Sequence, residues 1–242
     1  MTEHGVRRRF SNAHCNGTIS IMKLVVGNKN YSSWSMRPWL LLKQLEIPFE
    51  EEALSFNDPR FKERVLRYSP AGKVPVLVDG DLAIWDSLAI VEYLAERFPD
   101  RGIWPADQRA RAHARSICAE MHTGFGALRS QLPMNCELRL HWMPLDIHAR
   151  RDVARIVALW TDCRTRFGQS GPYLFGKFSA ADAYFAPVVR RFVGFDVELP
   201  QEAATYVATI DALAAMQAWV KAALDEHDFV AIDEPYREQS GS

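Results

Sequence analysis

Tyr31-Ser32-Ser33-Trp34-Ser35-Met36-Arg37-Pro38 joins two different periodicities. Ahead of it, Lys23-Leu24-Val25-Val26-Gly27 is an apolar run of strand length; behind it, Trp39, Leu40, Leu42 and Leu45 fall at mostly helical spacing. The chain therefore passes from a short buried strand through a serine-rich turn into an amphipathic helix over residues 35–45. The same reading continues outward. Residues 49–53, after Pro48, predict a strand, and residues 59–68 a helix with a proline in its first turn. Residues 76–78 and 82–84 flank Asp79-Gly80, a pair suited to the positive φ values of a tight hairpin, and residues 87–97 close the unit as a helix.

The order β-α-β-α-β-β-α over residues 22–98 is that of a thioredoxin-like α/β domain. Pro99, Gly102 and Pro105 then interrupt the pattern as a linker. From residue 106 to residue 232 no strand pattern appears: residues 107–129, 147–167, 180–193, 202–213 and 215–227 predict helices, and so an all-α helical bundle as the second domain. Ser179-Ala180-Ala181-Asp182 has the form of a capping box, a signal about folding rather than chemistry. Residues 1–21 are polar and aperiodic; they read as a disordered extension and lack the apolar core of a secretory signal.

Composition narrows the function. The 242 residues are 48% hydrophobic and 24% charged, which fits a soluble globular chain with room for two modest domains. A net charge of -1 leaves no cationic footprint for nucleic acid or an anionic membrane surface, and Arg7-Arg8-Arg9 is too short to change that. No apolar run reaches the ~20 residues of a membrane span. Cys15, Cys118, Cys136 and Cys163 show neither a CxxC pair nor zinc-ligand spacing, so they read as reduced thiols packed like small hydrophobes, in keeping with a cytoplasmic protein. The seven histidines form no HExxH or similar pair, which argues against a metal; they read as surface or capping residues.

Three stations for a ligand follow in chain order. At a strand-to-helix junction, unpaired backbone N–H groups and the helix dipole favour negative charge. Redox proteins of this build place CxxC there, whereas this chain has Ser32-Ser33-Trp34-Ser35 and can form no disulfide at that point. A serine can instead donate its hydroxyl proton to a bound thiolate. Lowering a thiol pKa from about 8.5 by two units needs about 2.7 kcal/mol. A hydrogen bond to a charged group supplies ~1.5–3 kcal/mol and the helix dipole ~0.3–1 kcal/mol, so one hydroxyl suffices. Ser32, Ser33 and Ser35 also suit the N-cap of the helix, and both readings stay open. At the second station, a cis Pro75 would turn the N–H and C=O of Val74 outward to pair with an extended peptide, and Lys73 would meet a terminal carboxylate; a trans proline and a solvated lysine are the alternatives. At the third, the backbone and hydroxyl of Ser87 would receive a carboxylate and Asp86 an amino group, unless both residues merely cap the helix they open. A ligand with a free amine and carboxylate at one end, a peptide-like middle and a thiol fits all three.

That ligand is glutathione, and from about Met22 to the C-terminal region the chain resembles the soluble glutathione transferase family. Ser32-Ser33-Trp34-Ser35-Met36-Arg37 is similar to the serine-type motif, Ser69-Pro70-Ala71-Gly72-Lys73-Val74-Pro75 to the loop before the family's cis-proline, and Asp86-Ser87 to its γ-glutamyl site. Leu174-Phe175-Gly176 and the capping box resemble the cap of its second domain. The resemblance implies glutathione as co-substrate, Ser32 as the residue that activates the thiol with Ser33 as second candidate, and Lys73, Val74, Pro75, Asp86 and Ser87 as the peptide-binding set. It also implies a small-molecule electrophile as the other substrate, and a homodimer with Phe56 and Phe61 as candidate apolar anchors. The motif is similar, further, to that of the zeta class, which includes maleylacetoacetate isomerase, although Trp34 and Trp39 stand where that pattern has a cysteine and an arginine. Arg37 matches it and is expected to attract an acidic electrophile, in a pocket between the domains where Met121, His122, Phe125 and Arg129 have the spacing to share a helix face; core packing explains Met121 and Phe125 about as well. The competing reading is a non-catalytic interaction module resembling the stringent starvation proteins that associate with RNA polymerase.

Overall fold

The computed structural model describes residues 21–141 and 143–237; the N-terminal extension apart from Ile21, with Cys15, lies outside the described residues. The first half comprises β1 (Met22–Gly27), α1 (Ser33–Gln44), β2 (Phe49–Leu54), α2 (Phe61–Leu66), β3 (Val76–Asp79), β4 (Leu82–Trp85) and α3 (Ser87–Arg97). Its sheet has the order β2-β1-β3-β4, with β1 parallel to β2 and antiparallel to β3, and β3 antiparallel to β4. This is the thioredoxin-like arrangement. The two-residue period of β1 explains its double-sided burial: Leu24 and Val26 enter the main core, while Val25 packs with Leu54, Val65 and Val76 beneath α2. The edge strand β2 carries Glu50, Glu51 and Glu52, charges that blunt pairing with other chains.

The second half is helical: α4 (Gln108–Thr123), α5 (Gly126–Gln131), α6 (Ile147–Phe167), α7 (Ala180–Gly194), α8 (Gln201–Asp211) and α9 (Ala214–Asp225). Among the described residues no single helix is long and apolar enough to cross a membrane. The capping box forms at the start of α7, where buried Asp182 accepts from the N–H of Ser179 at 2.9 Å and of Leu174 at 3.1 Å, and from the Tyr206 hydroxyl at 3.1 Å. Burial nevertheless pushes its carboxyl up to about 6.

Four expectations are corrected. Helix α1 begins at Ser33 rather than residue 35, with Ser32 as its N-cap. It is not amphipathic either: every residue from Ser35 to Leu42 is buried, because the sheet and α3 cover one side while α7 and α9 cover the other. The helix expected over residues 107–129 is broken at Gly124, and Phe125 takes a left-handed φ of 62° that redirects the chain into α5. In the hairpin only Gly80 has positive φ, and Asp79 stays in β3 opposite Leu82, so the turn centres on Gly80-Asp81.

Candidate active site

The loop that carries the serines is held from the far end of the chain. Trp219 Nε1 donates to the carbonyl of Lys29 at 2.9 Å, the N–H of Lys29 donates to Glu226 at 2.7 Å, and Asn28 Nδ2 donates to Asp228 at 2.8 Å. Cys136 adds its N–H to the carbonyl of Asn30 at 3.2 Å, and Tyr31 donates its hydroxyl to Glu234. The helical half thus sets where α1 starts.

At that start, Ser32 and Ser35 interlock. Ser32 Oγ donates to Ser35 Oγ at 2.7 Å and accepts from the Ser35 N–H at 3.4 Å, while Ser35 Oγ also accepts from the N–H of Gly27 at 3.2 Å. Ser33 Oγ has no hydrogen-bond partner among the described residues. Both Ser32 and Ser33 line a cavity of about 360 Å³ together with Phe56, Lys73, Arg129 and Arg191. A second cavity, of about 450 Å³, is lined by Pro75, Trp85, Asp86, Ser87 and His122. The two share Trp34, Lys73 and Val74, so they meet beside the serines. All seven residues singled out as catalytic or ligand-binding therefore line one or both of two adjacent cavities.

Their geometry is specific. The Val74-Pro75 peptide is cis. Asp86 caps α3 by accepting from the Leu88 N–H at 2.8 Å and holds a φ of 73°, a region costly for a residue with a Cβ. Its other oxygen lies 3.2 Å from His122 Nε2, an ion pair when the histidine is protonated. Burial lowers the His122 pKa while Asp86 opposes the shift. Ser87 is buried and its hydroxyl sits 3.0 Å from that of Tyr184. Gly27 is required by close approach, since a Cβ there would come within 2.3 Å of the Phe56 ring. Phe56 in turn meets Phe61 edge to face at 5.3 Å, so both rings pack beside the cavity.

Arg37 departs from expectation. It is fully buried, stacked 4.2 Å from the Trp34 ring and 4.6 Å from the Tyr184 ring, and none of its guanidinium nitrogens has a hydrogen-bond partner among the described residues. Burial pushes it down to about 10. It stands behind the site and does not line it. Of the residues with spacing for a shared face, Met121 and Phe125 take the core alternative, whereas His122, the next residue round α4 from Met121, and Arg129, on α5 beyond the break at Gly124, reach the cavities. His122 is accordingly a site residue rather than a surface one. Sequence reasoning left Tyr184 and Arg191 unnamed; both lie on the buried face of α7, where no local pattern marks them. Of the three serines that suit the N-cap by sequence, Ser32 takes that place and Ser35 bonds to it from the first turn. Among the described residues no cluster suits a metal ion.

Residues 31–97 match the family model described as Glutathione S-transferase, N-terminal domain, and residues 146–222 match its companion, Glutathione S-transferase, C-terminal domain. The chain belongs to the glutathione S-transferase family. It is 27% identical over 189 residues to Glutathione S-transferase 1 of Dianthus caryophyllus, covering 74% of this chain and 81% of the relative. A probable maleylacetoacetate isomerase of Caenorhabditis elegans is 36% identical over 98 residues, 40% of this chain and 45% of that one. Stringent starvation protein A homologs of several bacteria are similar as well. Among solved structures, a glutathione transferase homolog from Burkholderia with bound glutathione superposes with a TM-score of 0.65 at 23% identity, covering 85% of this chain and all of that one, a likeness of fold.

Proposed function

We propose that this protein is a glutathione transferase in which Ser32 stabilises the thiolate of glutathione and the sulfur then adds to a small electrophile. The observation that carries the reading is the hydrogen-bonded chain from the Gly27 N–H through Ser35 to Ser32, which opens where the two cavities meet. Ser35 Oγ already accepts from Gly27, so its own proton is free to turn toward Ser32 Oγ. Ser32 then donates outward to sulfur, and each bond polarises the next. Along the second cavity, Asp86 receives the amine of glutathione, the first turn of α3 with Ser87 its neighbouring carboxylate, the backbone of Val74 its cysteinyl unit, and Lys73 its terminal carboxylate. The thiol proton leaves to solvent, the sulfur forms its bond to the electrophilic carbon, and the leaving group departs with the electron pair.

The resemblance of the serine motif and the match to a maleylacetoacetate isomerase support a second use of the same thiolate: addition to a cis double bond, rotation and elimination. Buried Cys118, Cys136 and Cys163, all free, suit a reducing cytoplasm, and the family resemblance points to a homodimer, to be checked by light scattering. Calorimetric titration with glutathione, followed by conjugation of 1-chloro-2,4-dinitrobenzene, tests the reading. Saturable binding with turnover is expected. A flat trace together with a stable protein partner in pull-downs would favour an interaction module instead.

A further inference from the structure

The hydroxyl of Ser87, at the start of α3, meets a single partner among the described residues: the hydroxyl of Tyr184 on α7, 3.0 Å away and 97 residues further along the chain. Both side chains are buried, Ser87 at 1% exposure and Tyr184 at 0%. They differ in what they face. Ser87 lines the cavity beside Pro75 and Asp86, whereas Tyr184 stands behind Ser87 and lines none of that cavity. The Tyr184 ring is held from two further helices: the Arg37 guanidinium of α1 covers it at 4.6 Å, and the His122 ring of α4 lies tilted against it with centroids 6.5 Å apart.

Between two hydroxyls either can donate, and two facts set the direction here. Burial pushes the Tyr184 pKa up against the opposing charge of Arg37, so the phenol keeps its proton, and a buried phenol O–H needs an acceptor. Among the described residues Ser87 Oγ is the acceptor within reach. The Ser87 proton has another outlet, because its side chain borders a cavity at the N-terminus of α3, where a bound carboxylate meets unpaired backbone N–H groups. Tyr184 therefore donates to Ser87, and the Ser87 proton turns into the cavity. Arg37, whose guanidinium has no hydrogen-bond partner among the described residues, lies over the ring and makes the phenol a stronger donor.

We infer that Tyr184 is a positioning residue for glutathione: by donating to Ser87 Oγ it fixes the Ser87 proton toward the carboxylate next to the amine of the tripeptide, and so tightens that end without touching it. This inference rests on the transferase reading and gives the helical half a part in holding the tripeptide. A serine hydroxyl left to rotate has three staggered positions, of which one serves the carboxylate, so fixing it is worth up to about threefold in affinity. Polarisation of the serine by the phenol adds to that.

The test is calorimetric titration of the full chain, wild type and Y184F, with two ligands: glutathione, and 4-aminobutanoyl-cysteinyl-glycine, which is glutathione without the carboxylate next to its amine. Y184F is expected to bind glutathione roughly threefold to tenfold more weakly, and to bind the analogue as tightly as wild type does. In turnover of 1-chloro-2,4-dinitrobenzene the KM for glutathione should rise by the same factor with kcat unchanged, and the ultraviolet titration of the bound thiol should not move, because the sulfur end is untouched. A second measurement makes the same substitution in S87A, where it should cost no further affinity, since the phenol acts through the serine. An equal loss for both ligands would mark Tyr184 as a packing residue and overturn the inference. Unchanged glutathione affinity in Y184F, or a full further loss in S87A, would overturn it as well. Failure of the transferase reading looks different: wild type itself binds neither ligand, and the inference falls with it.

Discussion

Replacing Ser32 by alanine should raise the thiol pKa of bound glutathione and leave the rest of the tripeptide in place. In the free protein Ser32 Oγ lies 2.7 Å from Ser35 Oγ, which is itself 3.2 Å from the N–H of Gly27, so the hydroxyl offered to sulfur is the end of a polarised row. A hydrogen bond to a charged acceptor is worth ~1.5–3 kcal/mol. At 1.36 kcal/mol per unit, its loss raises the thiol pKa by about one to two units. For a bound thiol lowered to a pKa of about 6.5, the thiolate fraction at pH 7 then falls by roughly threefold to twenty-five-fold, and wild type and variant converge at alkaline pH where the thiol ionises unaided. Ser35→Ala removes only the polarising partner and should give a smaller shift in the same direction. Ser32 is also the N-cap of α1, and losing the cap costs about 1 kcal/mol of stability, so thermal melts must accompany the measurement. The assay is ultraviolet difference absorption of protein-bound glutathione against pH, compared among wild type, Ser32→Ala, Ser33→Ala and Ser35→Ala. An unshifted titration in Ser32→Ala would refute the reasoning; a shift confined to Ser33→Ala would transfer the role to the Ser33 hydroxyl, which has no hydrogen-bond partner among the described residues.

Other parts of the structure make independent commitments. His122→Ala should raise the KM for glutathione several-fold with kcat little changed, because His122 Nε2 steadies the Asp86 carboxylate at 3.2 Å; His122→Gln should restore it, and an analogue of glutathione lacking the amine should show no difference. The raised carboxyl pKa of Asp182, about 6, means the folded chain holds a proton there that the unfolded chain has already lost. Stability from this group therefore falls as pH rises from about 4 to about 6, by about 3 kcal/mol at most, and urea denaturation at both ends of that window should show a slope that Asp182→Asn lacks. Asp182→Ala should cost about 3–5 kcal/mol, since it strands the N–H groups of Leu174 and Ser179 and the Tyr206 hydroxyl. Gly27→Val should displace the Phe56 ring into the cavity and lower stability by about 1–3 kcal/mol, read from melting and from a raised KM for the electrophile. Burial pushes the thiol of Cys136 up to about 11 and that of Cys163 up to about 12, and raises that of Cys118 well above its ordinary value. Iodoacetamide at mildly alkaline pH should consequently leave all three unmodified in the native protein and alkylate them after unfolding, as mass spectrometry of the peptides would report.

Local chemistry was readable wherever it depended on neighbours in the chain. Periodicity marked β1 and α1, the Ser-x-x-Asp form marked the start of α7, and the order of the three ligand stations followed from strand and helix termini, whose unpaired backbone groups a few adjacent residues decide. What escaped were properties that arise when distant segments meet. Arg37 sits at helical spacing like any surface cation, and Trp34 one turn earlier covers only one side of it; the other cover, Tyr184, comes from α7, and nothing near Arg37 in the chain foretells that. The amphipathic reading of α1 failed for the same reason: burial on both sides is a property of the sheet and the bundle closing on it together. His122 and Asp86 lie 36 residues apart in the 242-residue sequence, and Trp219 reaches back to Lys29 across the whole domain pair. Residue types thus told which groups stand at which helix and strand terminus; packing of the helical half against the sheet chose which charges face the cavity, because desolvation and hydrogen-bond partnership depend on atoms that only folding brings within reach.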